Sequence, residues 1–155
     1  MSSKKTAVLV TAGVVAATGV LAVVAVPAAA DWFGKRHEQA SSYATGAEAK
    51  SERASVPRWL PDDAKSVRYV MRTTGGDRLL KATLPSTELP AECRPATTDG
   101  AKKPDLSASW FPLDAQGQAT ARCGAYYAYM TDTTLYAWQD DKDWQDANRS
   151  GTAGQ

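Results

Sequence analysis

The hydrophobic pattern sets one apolar segment near the start of the chain apart from everything that follows. Ala7 to Ala30 contain no charged residue. A helix needs about 20 residues to cross the hydrocarbon core, where its backbone polar groups must be bonded internally. Trp32 and Phe33 follow directly, where aromatic side chains favour the membrane interface. The pattern predicts a transmembrane helix that anchors the chain in a lipid bilayer through Ala7 to Ala30.

A cleaved secretory signal is the alternative for residues 1–30. Ala28-Ala29-Ala30 has the small-residue spacing of a cleavage site, and Pro27 would end the helix just before it. The apolar run is longer than the roughly 7–15 residues of a usual signal, which favours the uncleaved anchor. Lys4 and Lys5 favour a cytoplasmic N-terminus. We therefore expect a single-pass protein of the cell membrane whose C-terminal domain is extracytoplasmic.

A polar region follows the apolar segment. Residues 31–55 are rich in Ala, Ser, Glu and Lys, and their apolar positions are too sparse for a buried face. They are expected to form a polar juxtamembrane stalk, which ends at Val56-Pro57 because the residue before proline avoids the helical region. Residues 56–139 then form an extracytoplasmic β-rich domain. The acidic and amide-rich residues 140–155 are expected to be a disordered tail.

Alternating residues predict a first β-hairpin within this domain. Val67, Tyr69 and Met71 share one face, and basic residues occupy the other. Gly75-Gly76 can supply the two positive φ angles of a tight primed turn. A turn centred there fixes the register of the apolar face. The expected pairs are Met71 with Leu80, Tyr69 with Ala82 and Val67 with Leu84.

A second hairpin is predicted around a turn at Asp132-Thr133. It places aromatic side chains opposite each other, which stabilises a sheet. A further strand is expected at Leu106–Phe111, before Pro112. The fold class is thus α+β: an N-terminal transmembrane helix followed by a small, mainly antiparallel β domain. The expected pairs of this hairpin are Met130 with Leu135, Tyr129 with Tyr136 and Tyr127 with Trp138.

Cys93 and Cys123 are the two cysteines of the chain. They are not expected to hold a metal, because the β domain has no histidine and no further ligands of the right spacing. Outside the cytoplasm a disulfide fits better. It would close a loop of about thirty residues and stabilise the fold by roughly 3–4 kcal/mol in the chain-entropy model.

Composition argues against several classes of function. The net charge is +1, so no overall field attracts nucleic acid. Beyond His37 there is no histidine for a catalytic triad, and no glycine-rich phosphate loop is present. We therefore predict no catalytic residue, no metal and no cofactor. Separated acids that converge in the fold are the remaining route to a hydrolase.

Arginines on the outer face of the first hairpin, together with nearby aromatics, form the candidate binding surface. Arginine beside exposed aromatic residues is typical of interfaces. A solvated sheet face is the simpler interpretation of the arginines. The residues of this candidate surface are Trp59, Arg68, Arg72, Trp110 and Phe111.

One string has the character of a signature. Trp59 to Ala64, together with the cysteine pair, Trp110-Phe111-Pro112 and Tyr136-Ala137-Trp138, resembles small membrane-anchored or secreted proteins of actinobacteria. In those proteins a Trp-x-Pro-Asp-Asp-Ala segment opens the extracytoplasmic domain. The resemblance covers roughly residues 56–138 and implies location and architecture only.

Two functions remain as hypotheses. The first is a non-catalytic envelope module that binds another envelope protein or an anionic wall or membrane component. The second is a secreted, signal-cleaved domain that binds carbohydrate or hydrolyses a substrate with acids and aromatics. Carboxyl groups that converge in a cleft would favour the second hypothesis.

Overall fold

A computed structural model describes residues 37–151, and seven of its strands form one antiparallel sheet. The helices are α1 (Gly46–Glu52) and α2 (Asp141–Arg149). The strands are β1 (Glu38–Thr45), β2 (Lys65–Arg72), β3 (Arg78–Thr83), β4 (Cys93–Pro95), β5 (Ala121–Cys123), β6 (Tyr126–Thr131) and β7 (Thr134–Gln139). Their order across the sheet is β1-β2-β3-β7-β6-β5-β4.

The predicted antiparallel β domain is confirmed, and the predicted membrane helix cannot be compared with it. Ala7 to Ala30, and the stalk as far as residue 36, lie outside the described residues. Within residues 37–151, neither helix has the length and apolarity that crossing a bilayer requires.

The first face of the sheet packs against α1 and the segment that follows it. Val67, Leu80 and Leu135 are buried there beneath Trp59 and Leu60. The signature segment 59–64 closes the start of α1, because the N–H of Gly46 donates to the carbonyl of Ala64 at 2.9 Å. The Trp-x-Pro-Asp-Asp-Ala string therefore has a structural role.

The second face of the sheet carries its own core. Leu79 and Trp138 are buried there beneath residues 96–120, which cross the sheet with little regular structure. Leu106 and Phe111 are buried in this covering segment. The strand predicted at Leu106–Phe111 is wrong, because these residues reach the core from turns. Two cores make the sheet the middle layer of the domain.

The first hairpin exists, but its predicted register is wrong by two residues. Tyr69 lies opposite Leu80, and Met71 lies opposite Arg78. The N–H of Arg72 donates to the carbonyl of Asp77 at 3.1 Å, which leaves a four-residue loop, 73–76, in place of a two-residue turn. A shift of two residues keeps every side chain on its predicted face.

Close packing, rather than a positive φ, explains Gly75-Gly76. Neither residue has a positive φ. A Cβ on Gly76 would lie 2.7 Å from the Cβ of Trp144 on α2. The N–H of Gly76 also donates to the carboxylate of Asp141. Glycine is needed here because a helix passes directly over the loop.

The second hairpin has the predicted register. Tyr127 lies opposite Trp138, and Met130 lies opposite Leu135. Asp132 takes a φ of +53° in the turn, a conformation that aspartate tolerates better than most residues. The predicted disulfide is confirmed as well, because Cys93 and Cys123 are bonded across β4 and β5.

The predicted boundaries of the domain are too narrow at both ends. Residues 38–52, predicted to be part of a stalk, form β1 and α1. Residues 141–149, predicted to be disordered, form α2, which Asp140 caps by accepting from the N–H of Asp143 at 3.0 Å. The domain thus begins at Glu38 and includes α2.

Candidate functional site

Two basic side chains lie side by side on the second face of the sheet. Arg68 pairs with Lys81 across β2 and β3. Arg68 alternates with Val67 and Tyr69, which are buried on the first face, so it points to the second. Arg68 is exposed and Lys81 half-buried. Within residues 37–151 neither has a carboxylate within salt-bridge distance, and like charges directly opposite destabilise a sheet.

Aromatic rings continue this basic pair across the sheet. The Nζ of Lys81 lies 5.3 Å from the ring centroid of Tyr136. Phe111 meets Tyr136 edge to face at 5.8 Å, and Trp110 meets Phe111 in the same way at 5.9 Å. We name the solvent-reaching members Arg68, Lys81, Tyr136 and Trp110 the basic–aromatic strip. It offers two cations beside two half-buried rings.

The five residues of the predicted binding surface do not form one patch. Trp59 is 6% exposed and packs edge to face on Tyr126 at 5.5 Å, on the first face of the sheet. Phe111 is also 6% exposed, in the second core. The expectation of exposed rings is therefore wrong for both. Arg68 and the half-buried Trp110 remain available to a ligand.

Arg72, the last of the predicted surface residues, is committed to acids of its own chain. Its guanidinium donates to Asp77 at 2.8 Å and to Asp105 at 2.7 Å. The hydrogen bond to Asp105 raises the pKa of Arg72, although desolvation acts the other way. Arg72 joins the first hairpin to the covering segment rather than presenting a free charge.

A second group of charges fixes α2 to the second face, and sequence reasoning missed it. The Asp143 carboxylate accepts from Lys102 Nζ at 2.6 Å, from the Tyr127 hydroxyl at 2.6 Å and from Arg122 at 3.3 Å. Lys102 also donates to Asp140 at 2.7 Å. The Arg122 guanidinium stacks 3.9 Å from the Tyr127 ring centroid.

These contacts and burial shift the pKa values of Asp143 and Asp77 in opposite directions. Desolvation is the largest influence on Asp143 and would raise its pKa, but the hydrogen bonds from Lys102, Tyr127 and Arg122 outweigh it. The pKa of Asp143 is therefore lowered. Burial raises the pKa of Asp77, although the N–H of Asp141 and the charge of Arg72 act the other way.

Two pairs of these carboxylates are bridged by a cation. Arg72 separates Asp77 from Asp105, and Lys102 separates Asp140 from Asp143. A glycosidase pair needs one carboxyl free to donate a proton and another free to attack or to activate water. Across the part of the chain described, three or more His, Cys, Asp or Glu residues nowhere gather to hold a metal ion. These charges suit structural bridging.

Two further features of the site had only weak sequence signals. The Asp140-x-x-Asp143 spacing is a helix-capping pattern that marks the start of α2. Leu113 is 87% exposed beside Pro112, and one apolar residue in a proline-rich stretch is not distinctive.

Comparison of the chain with protein-family models, with curated proteins and with solved structures gave no match.

Proposed function

We propose that this chain is a single-pass membrane-anchored protein that holds a non-catalytic binding domain outside the cytoplasm. The domain binds an anionic component of the cell envelope through the basic–aromatic strip. The observation that carries the proposal is the cross-strand pair of Arg68 and Lys81, two neighbouring cations without a carboxylate partner in the described chain. An anionic ligand would relieve their repulsion.

The aromatic members of the strip suit the same ligand. Tyr136 offers ring surface beside Lys81, and Trp110 extends the aromatic part through its contact with Phe111. Aromatic residues with arginine are enriched at binding surfaces. An anionic polymer with apolar or sugar faces could therefore contact both parts. The bridged carboxylates support a binding role over hydrolysis, because Asp143 is tied to three donors and its pKa is lowered.

Location outside the cytoplasm rests on two further observations. The disulfide between Cys93 and Cys123 is of the kind that persists in oxidising compartments. Ala7 to Ala30 are long enough to cross the bilayer, and Lys4 and Lys5 precede them, which favours a cytoplasmic N-terminus. The resemblance to membrane-anchored or secreted actinobacterial proteins agrees with this placement.

Binding can be tested with the full chain in detergent and a fluorescent polyanion. The probe is dextran sulfate, with neutral dextran as its uncharged counterpart. The double variant Arg68→Ser with Lys81→Ser removes two charges from the strip. Each basic residue near an anionic surface contributes about 1 kcal/mol, so we expect affinity to fall roughly thirtyfold.

The matched control removes the same charge elsewhere. Arg58→Ser with Lys142→Ser leaves the strip intact, and affinity should stay within about threefold of the parent chain, below about 0.7 kcal/mol. Equal losses in both double variants would show diffuse attraction to net charge and refute the strip as the site. Equal binding of neutral dextran would refute an anionic ligand.

Anchoring has its own test. The mass of the mature protein reports whether residues 1–30 are retained. A mature chain that begins at Asp31 would replace the anchor with a cleaved signal and favour the secreted alternative. Thiol labelling of intact cells tests placement of the domain: Cys93 and Cys123 should react only after reduction.

A further inference from the structure

A row of threonines lies beside the basic–aromatic strip on the second face of the sheet. Thr83 pairs with Thr134 across β3 and β7, and Thr134 pairs with Thr131 across β7 and β6. Each is next in sequence to a residue that packs in the core of the first face, so all three side chains point to the second face. Thr83 and Thr131 are exposed and Thr134 is half-buried. We name these three residues the hydroxyl row.

The hydroxyl row runs parallel to the strip. Thr83 lies two residues beyond Lys81 on β3, and Thr134 lies two residues before Tyr136 on β7. Two residues advance a strand by about 7 Å, and neighbouring strands lie about 5 Å apart. A ligand on this part of the face therefore meets cations along one line and hydroxyl groups along the next.

The charge on this part of the face is concentrated on β2 and β3, where Arg68 and Lys81 lie opposite each other. The next two strands contribute the threonine hydroxyls and the phenol of Tyr136. The turn that joins those strands carries Asp132, which is exposed and has no salt-bridge partner within residues 37–151. A carboxylate there repels a second anionic group, so the ligand should be anionic at one end and neutral at the other.

We propose that the anionic ligand is a polymer of sugars or polyols that carries phosphate groups. Arg68 and Lys81 hold a phosphate, and the hydroxyl row forms hydrogen bonds with the neighbouring hydroxyl groups of the polymer. This inference rests on the proposed function and names the ligand class of the same surface. Arginine and lysine both bind phosphate. A threonine hydroxyl donates and accepts, as a sugar hydroxyl does, so the two can pair in either direction.

The layout favours such a polymer over other phosphate compounds. The surface crosses β2, β3, β7 and β6, which is about 14 Å at the usual strand spacing. An extended chain contacts the cations and the hydroxyl row at once, whereas a free phosphate or a lipid headgroup contacts one of them. A dense polyanion without hydroxyl groups would bring negative charge next to Asp132. These arguments favour a sparsely charged, hydroxyl-rich chain.

Two fluorescent probes with the same anion separate the role of charge from that of the hydroxyl groups. Sparsely phosphorylated dextran carries phosphate on a hydroxyl-rich chain, and inorganic polyphosphate carries phosphate alone. Thr83→Val with Thr134→Val removes two hydroxyls and keeps the β-branched shape that suits a strand. Thr73→Val with Thr74→Val is the matched control, because both residues are exposed in the loop after β2, at the opposite end of β3 from Thr83. All variants are measured as the full chain in detergent.

We expect Thr83→Val with Thr134→Val to bind phosphorylated dextran roughly tenfold more weakly, because two hydrogen bonds are lost. Its affinity for polyphosphate should stay within about twofold of the parent chain, as should both affinities of the control. Thr83→Ser with Thr134→Ser keeps the hydroxyls and should bind phosphorylated dextran as the parent chain does. An equal loss for both probes, or unchanged binding of phosphorylated dextran, would overturn the hydroxyl contacts.

The same measurements separate failure of this inference from failure of the proposed function. If dextran sulfate binds through Arg68 and Lys81 and phosphorylated dextran does not bind, the site stands and the sugar or polyol phosphate is overturned. If none of the three polyanions binds, the proposed function itself is overturned. Displacement of phosphorylated dextran by an equal concentration of phosphatidylglycerol in the detergent micelles would overturn the polymer in favour of a lipid headgroup.

Discussion

The charge group around Asp143 gives the sharpest prediction about the fold. Asp143→Asn removes the negative charge that Lys102, Tyr127 and Arg122 share. The amide nitrogen of asparagine would also replace the oxygen that accepts from Tyr127 and Arg122, so that three donors would face one another. We expect α2 to loosen from the sheet and the free energy of unfolding to fall.

The magnitude follows from the exposure of the partners. Hydrogen bonds to a charged group contribute about 1.5–3 kcal/mol when buried, while exposed ion pairs contribute about 0.2–1 kcal/mol. The side chain of Asp143 is 19% exposed, Arg122 31% and Lys102 38%, between these limits. One acceptor oxygen survives in asparagine. A loss of about 2 kcal/mol, or about 8 °C in melting temperature for a domain of this size, is expected.

Asp146→Asn on the same helix is the control. Asp146 makes surface contacts with Lys142 and Arg149, and its side chain is 50% exposed. The same chemical change there should leave the urea midpoint unaltered. Urea unfolding of the full chain in detergent, followed by near-ultraviolet circular dichroism, measures both variants. Equal midpoints for the two variants would refute the bridging role of Asp143.

The pH dependence of the same variant adds a second readout. The pKa of Asp143 is lowered in the folded state, so its contribution is present above the unfolded value and is lost as pH falls through the folded value. The stability difference between the parent chain and Asp143→Asn should be constant near neutrality. It should close below about pH 4, the range in which unfolded aspartate titrates. A difference that persists in acid would contradict this explanation.

Three further outcomes are expected. Gly46→Ala should lower the free energy of unfolding in urea by about 2 kcal/mol, because the new Cβ would clash with the backbone carbonyl of Pro61. Gly117→Ala is the control and should change it little, because the space around Gly117 is open. Replacing Cys93 and Cys123 by alanine should cost about 3–4 kcal/mol on the same assay, and an unchanged midpoint would refute the loop-closure argument. Burial raises the pKa of Tyr129 to about 12, so the folded state favours the neutral phenol. The free energy of unfolding should therefore fall as pH rises from about 10 towards 12. An absorbance titration in which all tyrosines ionise near pH 10 would contradict this.

Strongly patterned segments could be predicted from the sequence. The second hairpin came out in register because aromatic residues alternate on both sides of a short polar turn. The disulfide could be predicted because the chain has two cysteines and the β domain has no further metal ligands of the right spacing. For the first hairpin, the predicted faces of the side chains are correct and the predicted register is wrong. The register is wrong because Gly76 makes room for Trp144 and does not form a primed turn. That approach is a tertiary contact, which no local pattern contains.

Both ends of the domain escaped prediction for a different reason. β1 consists mostly of small and polar residues, because it is an edge strand, and only Tyr43 packs against the core. α2 has no buried residue and is fixed by hydrogen bonds and ion pairs. Hydrophobic periodicity detects elements that bury a face. The Asp140-x-x-Asp143 cap was the available signal for α2.

The candidate site could be predicted only in part, because burial depends on what covers each residue. Arg68 and Trp110 keep the exposure that sequence suggested. Trp59 and Phe111 were both expected to be exposed, but each ring is buried. Trp59 lies in the core on the first face of the sheet, and Phe111 lies in the core on the second. Arg72 finds Asp105, 33 positions away, and is neutralised. A charge is free or paired according to tertiary contacts, which the sequence leaves open.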